Sequence, residues 1–457
     1  MIAFSLLFAL QDPEPPPCSG VPVPAVEGTA DGTMRASDDP FAHDDGEEWC
    51  ARFQAPGAGP SPVRARRVPR EPTPRLAIRA RKVLPVSERI GPVDQGVVLI
   101  RDGKIEAVGK GLSIPPDYKI LDYPSAFVFP GFVDLHSHIQ AGGFGDTNDM
   151  VHPDNPEFRV LDAVVPWNED MQYAVSAGVT TVLTIPGSGT NLSGFGVLLK
   201  LKDAESVEDM VLRQPGAMKV AQAWNPERGS GDLGASRMGM SWMLRRLFAR
   251  ALARIAEGEK DPSKPVPPDL AMLLEVFRRK TPVLIHTAGD RDVMATARMF
   301  RDEFDVDAIV SHGCFNGMAV APELARRDLP TNLGPRMYDW TFQADARFYG
   351  IVEGFARAGC RKISINTDAG VVPQEDLFLQ GAMAARFGAD EELCLRGCTI
   401  EPARSIGVAE RIGSLDPGKD ADLVIKAGPP FDARTPVEVV LIDGEIVYDR
   451  RRDGQRY

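Results

Sequence analysis

Short apolar runs rich in β-branched residues punctuate the chain from residue 76 onward, and what separates them changes along its length. Near both ends the spacers are tight polar turns. Residues 97–100 (VVLI) lead through Arg101-Asp102-Gly103-Lys104 into 105–108 (IEAV), and 439–442 (VVLI) lead through Asp443-Gly444 into 445–448 (EIVY). Asp-Gly between two apolar runs predicts a two-residue hairpin, whose turn positions need positive φ. In the middle of the chain the runs alternate with helix-like stretches: 127–135, 179–186, a weaker 195–201, 217–223, 282–285, 308–311, 329–333 and 362–367. Strands alternating with helices predict a parallel sheet or barrel. Residues 237–256 and 268–280 read as a helical insertion before the fifth run, and 391–406 as a last helix.

The ends of these runs carry the candidate chemistry. The first closes on His136-Ser137-His138. Residues i and i+2 of a strand face the same side, so this pair presents two imidazoles together to one divalent metal. His286 ends the run 282–285, His312 ends 308–311 and Asp368 ends 362–367. A (β/α)₈ barrel draws its reactive residues from the C-terminal ends of several strands, so these four positions predict a metal centre. Of the remaining histidines, His43 lies in an acidic, Pro-rich stretch and reads as solvated. His152 lies in a loop where substrate contact and plain surface are both open. Cys394 and Cys398, four apart in the last helix, read as buried rather than ligating.

Composition then narrows the class. A chain of 457 residues, 43% of them hydrophobic, has room for one barrel and a smaller domain. Its net charge of −12 disfavours nucleic acid and anionic membranes as partners. It has no P-loop and no CxxC, which leaves nucleotide and zinc-ribbon readings without support. Residues 1–10 are apolar but about half the length of a bilayer span, so no membrane span is expected. They fit the core of a secretory signal, although no Lys or Arg precedes them and no A-x-A site follows; export or a periplasmic location is favoured over a cytoplasmic one. Residues 11–73, rich in Pro, Gly and acid and basic around 64–70, read as a disordered or loosely packed leader. Within it, Cys18 and Cys50 are disulfide candidates if the protein is exported.

Residues 130–138 (PGFVDLHSH), 174–186 (AVSAGVTTVLTIP) and 412–424 (IGSLDPGKDADLV) resemble three motifs of the amidohydrolase superfamily: its first strand, its second strand with the preceding helix, and its re-entry into a small β-domain. The resemblance runs over about residues 75–448 and is closest to the imidazolonepropionase-like and prolidase-like branch. It implies an α/β fold: a (β/α)₈ TIM-type barrel over 127–401 and a small β-sandwich-like domain built from both chain ends, 74–126 and 402–457, where the two hairpins pair. Residues 1–73 stand outside it. It further implies that His136 and His138 bind the more buried metal, and that Asp368 is both its ligand and the general base. His286 and His312 would bind a second metal; in a one-metal site His286 joins the first sphere and His312 orients the water. Lys219, in MKVAQAW, stands where prolidase-like members carry a carboxylated lysine bridging two metals. The following Ala223-Trp224-Asn225 departs from their pattern, which leaves the bridge open against an ordinary strand lysine.

The implied cofactor is Zn²⁺, one ion or two, with Mn²⁺ and Fe²⁺ as alternatives. The implied activity is hydrolysis of an amide, cyclic amide or peptide-like C–N bond in a small-molecule substrate, with a metal-activated water as nucleophile. A homo-oligomer is left open. Loop residues Asn191, Asn225, Arg228, Arg336 and Tyr338 are candidates for the substrate side. Arg228 or Arg336 could pair with a substrate carboxylate; a solvated surface arginine is the competing reading for each. Two other functions stay open: a one-metal deaminase of a heterocyclic amine, and a catalytically silent barrel, against which the intact His and Asp set argues.

Overall fold

The structure, a computed structural model, describes residues 74–139, 144–166, 168–204, 206–227, 234, 236–341 and 345–457. The candidate signal and leader with His43, Cys18 and Cys50, and also Arg228, lie outside the described residues. The chain enters through β1 (Arg75–Val83), β2 (Val93–Arg101), β3 (Lys104–Lys110) and β4 (Lys119–Pro130). It continues through β5 (Phe132–Ser137), the helix Glu169–Ser176, β6 (Val179–Thr184), β7 (Leu192–Phe195), β8 (Val197–Lys200), β9 (Val211–Arg213) and β10 (Met218–Ala221). After the helix Arg237–Lys260 come β11 (Val283–His286), β12 (Ala308–His312), β13 (Thr331–Leu333), β14 (Tyr338–Asp339), β15 (Tyr349–Gly350) and β16 (Ile363–Ile365). β17 (Leu423–Lys426), β18 (Val437–Ile442) and β19 (Glu445–Asp449) complete this mixed α/β architecture.

Both chain ends share one seven-stranded sheet, ordered β19-β18-β17-β4-β1-β2-β3. Its outer hairpins turn at Asp102-Gly103 (φ 50° and 77°) and Asp443-Gly444 (φ 51° and 74°), the doubly positive pairs that suit a twisted hairpin. The two turns meet on one segment: Ala421 N donates to Gly103 O at 2.8 Å and Gly444 N to Ala421 O at 3.1 Å. Beneath them sits Lys200 at the end of β8, its side chain 3% exposed. Its ammonium lies 2.7 Å from Asp420, 2.9 Å from Asp422 and 2.5 Å from Asp443. One buried cation thus neutralises carboxylates that only the returning chain supplies.

β10, β11, β12, β13 and β16 run parallel in that order, and β5-β6-β8-β9 form a second sheet. Alternate residues divide between two cores. Val283 and Ile285 pack with Phe248 and Phe300 from helical elements, whereas Leu284 packs with Val133, Leu135, Leu183, Leu198 and Ile309. His286 continues the face of Leu284. The segment after β16 hydrogen-bonds the end of β5: His138 N donates to Ala369 O at 3.1 Å and Ala369 N to His136 O at 3.2 Å. This contact brings Asp368 beside the H-x-H pair.

Three elements differ from the sequence reading. The weak run 195–201 is interrupted, because Gly194 has φ 112° and a Cβ on Gly196 would lie 2.6 Å from Thr184 O. The chain bends there, so β7 pairs antiparallel with β10 and β8 antiparallel with β6. Residues 268–280 hold a 3₁₀ turn and the short helix Leu273–Phe277, ending before Arg279 at φ 59°. The last helix breaks into Glu391–Gly397 and Ile400–Ser405. Pro402 has no N–H for the carbonyl of Cys398, and that carbonyl accepts from Val133 N at 2.8 Å instead. Cys394 and Cys398 are buried thiols. No helix among the described residues is long and apolar enough to cross a membrane.

Candidate metal centre

Six polar side chains from five strands, β5, β10, β11, β12 and β16, or the residues just after them, meet in one cluster. His136 Nε2 lies 3.2 Å from Asp368 Oδ1 and 2.9 Å from Lys219 Nζ. His138 Nε2 is 3.6 Å from Asp368 Oδ1, and His312 Nε2 is 3.8 Å from Asp368 Oδ2. The His286 ring centroid is 4.6 Å from that of His312. Two triplets bring their ligand atoms within 4.8 Å of one another: His136, His138 and Asp368, and His136, His286 and His312.

Hydrogen bonds behind the rings choose their tautomers. His138 Nδ1 lies 2.8 Å from Ile185 O and His312 Nδ1 2.7 Å from Gly334 O. A carbonyl can only accept, so Nδ1 carries a proton in both rings, and in the neutral tautomer this leaves the lone pair on Nε2. His136 Nδ1 is 2.8 Å from Ser311 Oγ, which also accepts from Asn332 Nδ2 at 3.3 Å. Burial pushes His136, His286 and His312 below the ordinary imidazole range, the first two far below it, which favours the unprotonated, ligating form. Burial alone would raise Asp368, but His312, His138 and Lys219 together hold its carboxyl below the usual range. Burial brings the Lys219 ammonium down to about 7.

His286 Nδ1 and His312 Nε2 are buried without a hydrogen-bond partner among the described residues. Buried polar atoms are normally paired, and a ligand set of imidazole nitrogens with one carboxylate suits a borderline divalent metal. The residues therefore fit such an ion. His312 (φ 75°) and Asp368 (φ 51°) hold left-handed backbone, a cost to side chains with a Cβ that is found where geometry is tightly specified. Behind the cluster, fully buried Asp134 accepts from His136 N (2.8 Å), Thr367 N (3.0 Å), Thr367 Oγ1 (2.7 Å) and Gln374 Nε2 (2.8 Å), tying β5 to the residue before Asp368.

A cavity of about 530 Å³ opens over His138 and Asp368, lined also by Asn148, Met150, Asp170, Gly187, Ser188, Asn225 and Val371. The glycines at 187 and 189 are needed there, since a Cβ on either would meet the Asn148 amide at 2.3 or 2.6 Å. Of the candidate substrate residues, Asn225 lines this cavity. Asn191 is buried and donates to Ala221 O at 2.6 Å. Arg336 stacks between Phe315 and Trp340, 4.1 and 4.2 Å from the ring centroids. Tyr338 packs against Phe348 and Phe387. The sequence reading gave no role to Asp134, Ser311, Asn148 or Asp170. The first two had a signal, each sitting within two residues of a ligand candidate; Asn148 is remote from every motif, and Asp170 lies four residues before the second. A larger cleft, about 820 Å³, includes Arg279, Arg301, Arg327 and Lys362, each of which is paired with a carboxylate.

The model of the amidohydrolase family matches residues 350–447. An amidohydrolase structure from Thermotoga maritima MSB8 is 31% identical, with TM-score 0.75, over 82% of this chain and 100% of that one. An imidazolonepropionase from Brucella anthropi is 26% identical over 78% of this chain and 91% of its own length. Amidohydrolase tasK from Hapsidospora irregularis is 25% identical over 78% of this chain, which spans only 39% of that longer protein. The chain belongs to the amidohydrolase family, hydrolases acting on carbon–nitrogen bonds.

Proposed function

We propose that the protein is a metal-dependent hydrolase of an amide, cyclic amide or peptide-like C–N bond, and that His136, His138, Lys219, His286, His312 and Asp368 form its metal centre. The observation that carries this is the convergence of imidazole nitrogens on Asp368, with His286 Nδ1 and His312 Nε2 buried and without a hydrogen-bond partner among the described residues. A divalent metal bound there, Zn²⁺ in this reading, supplies a water nucleophile near neutral pH and polarises the scissile carbonyl. His136, His138 and Asp368 would hold one ion, and His286 and His312 a second. Asp368 accepts the proton of the attacking water and returns it to the leaving amine. In a one-metal site His286 would join the first ion and His312 would orient the water. Lys219 favours two metals over the one-metal deaminase. An amine brought down to about 7 is about half neutral near neutral pH, and the neutral amine is the form that CO₂ converts to an anionic carbamate ligand.

The same reading takes residues 127–401 as a (β/α)₈ barrel, with 74–126 and 402–457 as its small sandwich-like companion and 1–73 as a leader. The parallel order from β10 to β16 and the hydrogen bonds from Ala369 back to β5 support closure of that barrel. The test is turnover of a panel of N-acyl amino acids, dipeptides and five-membered cyclic amides. Turnover of at least one class is expected, lost on dialysis against dipicolinate and restored by zinc. Turnover that survives complete metal removal would overturn the reading.

A further inference from the structure

We infer that the substrate carries a cationic group, a protonated amine or guanidinium, and that the Asp170 carboxylate on the cavity wall receives it; this rests on the hydrolase reading above. The described wall holds no lysine or arginine. Apart from His138 and Asp368, which belong to the metal centre, Asp170 is its one ionisable side chain, set among apolar Ile139, Met150 and Val371 and neutral Asn148 and Asn225. Asp368 has imidazoles and Lys219 around it, whereas Asp170 makes no hydrogen bond or ion pair with a described residue. Burial and the neighbouring Glu169 both push its carboxyl up, and no cation acts in the other direction. Its charge is also felt at Glu375, which is raised by burial and then by Asp376 and Asp170.

The position of Asp170 is fixed relative to the metal centre. Asn168 caps the helix Glu169–Ser176, accepting from Met171 N at 2.9 Å, and its Nδ2 donates to Ile139 O at 2.6 Å, one residue beyond His138. An acid in a first helical turn is ordinary, but Glu169 already fills that role and accepts from Tyr173 Oη at 2.7 Å. Asp170 is exposed at the open side of the cavity, and a carboxylate there without a counter-ion attracts a cation through a charge-assisted hydrogen bond and rejects an anion. The described cavity wall is thus opposite in charge to what a substrate carboxylate would need.

The test is calorimetric binding of arginine, norleucine and glutamate, whose side chains differ in charge, to the zinc-loaded full chain. Arginine is expected to bind at least about tenfold tighter than norleucine, with glutamate weakest. Asp170→Asn should close that gap and Asp170→Lys should move the preference toward glutamate, with metal content and melting temperature unchanged. Equal binding of arginine and norleucine, no binding of arginine, or a gap that survives Asp170→Asn would overturn the inference. A cation preference without turnover of any amide would count against the hydrolase reading alone; turnover without a charge preference would count against this inference alone.

Discussion

Asp368→Asn is expected to lower kcat/KM by about 10²–10⁴-fold, the range associated with losing a positioned general base, equivalent to roughly 3–5 kcal/mol of barrier. The substitution preserves shape and removes two things, a basic oxygen able to take a proton and a negative charge beside the imidazoles. Because Asp368 is held by backbone contacts on both sides, through Thr367 to Asp134 and through Ala369 to His136, the fold should survive. Near-ultraviolet circular dichroism and the melting temperature should match those of the parent. Turnover within tenfold of the parent, at unchanged metal content, would remove Asp368 from the role of base.

The largest effect on stability is expected from a residue far from the chemistry. Lys200→Met should cost about 3–5 kcal/mol, because it leaves buried carboxylates without the cation that neutralises them. The pH dependence should change with it. Burial pushes Asp420 up, but hydrogen bonds from Lys104 and Lys200 outweigh it, and the carboxyl falls to about 2, below its unfolded value near 3.8. A depressed carboxyl contributes stability that is fully present above the unfolded pKa and is lost as pH falls through the folded one. In the parent, this contribution should disappear between about pH 4 and pH 2. In Lys200→Met the carboxyls lose their cation, so stability should rise on mild acidification from neutral pH. Urea titrations at several pH values read both slopes. A variant within 1 kcal/mol of the parent would show that Lys104, Lys202 and Arg411 neutralise the cluster without Lys200.

Legibility in the sequence followed the range of the determining contacts. The hairpins could be read because an Asp-Gly pair specifies its own turn, and both turns have the expected positive φ. The ligand candidates could be read because a histidine or aspartate directly after a short apolar run marks a strand end. What brings those ends together is the pairing of the segment after β16 with β5, and no local pattern encodes it. The third strand failed because Gly194 and Gly196 bend an apolar stretch that otherwise looks continuous. The last helix failed because Pro402 diverts the Cys398 carbonyl to Val133, a contact spanning most of the chain. Loop residues were the least legible. Arg336, read as a solvent or substrate arginine, stacks on Phe315 and Trp340, while Asp170, just before the second motif, lines the cavity.

The most direct measurement is metal content by plasma mass spectrometry, on full-length protein purified without chelator after growth with zinc and bicarbonate. About two equivalents per chain are expected, falling to about one in Lys219→Met, where the bridging ligand is lost. Protein that retains no metal and takes up none when zinc is added would contradict the metal-dependent mechanism outright.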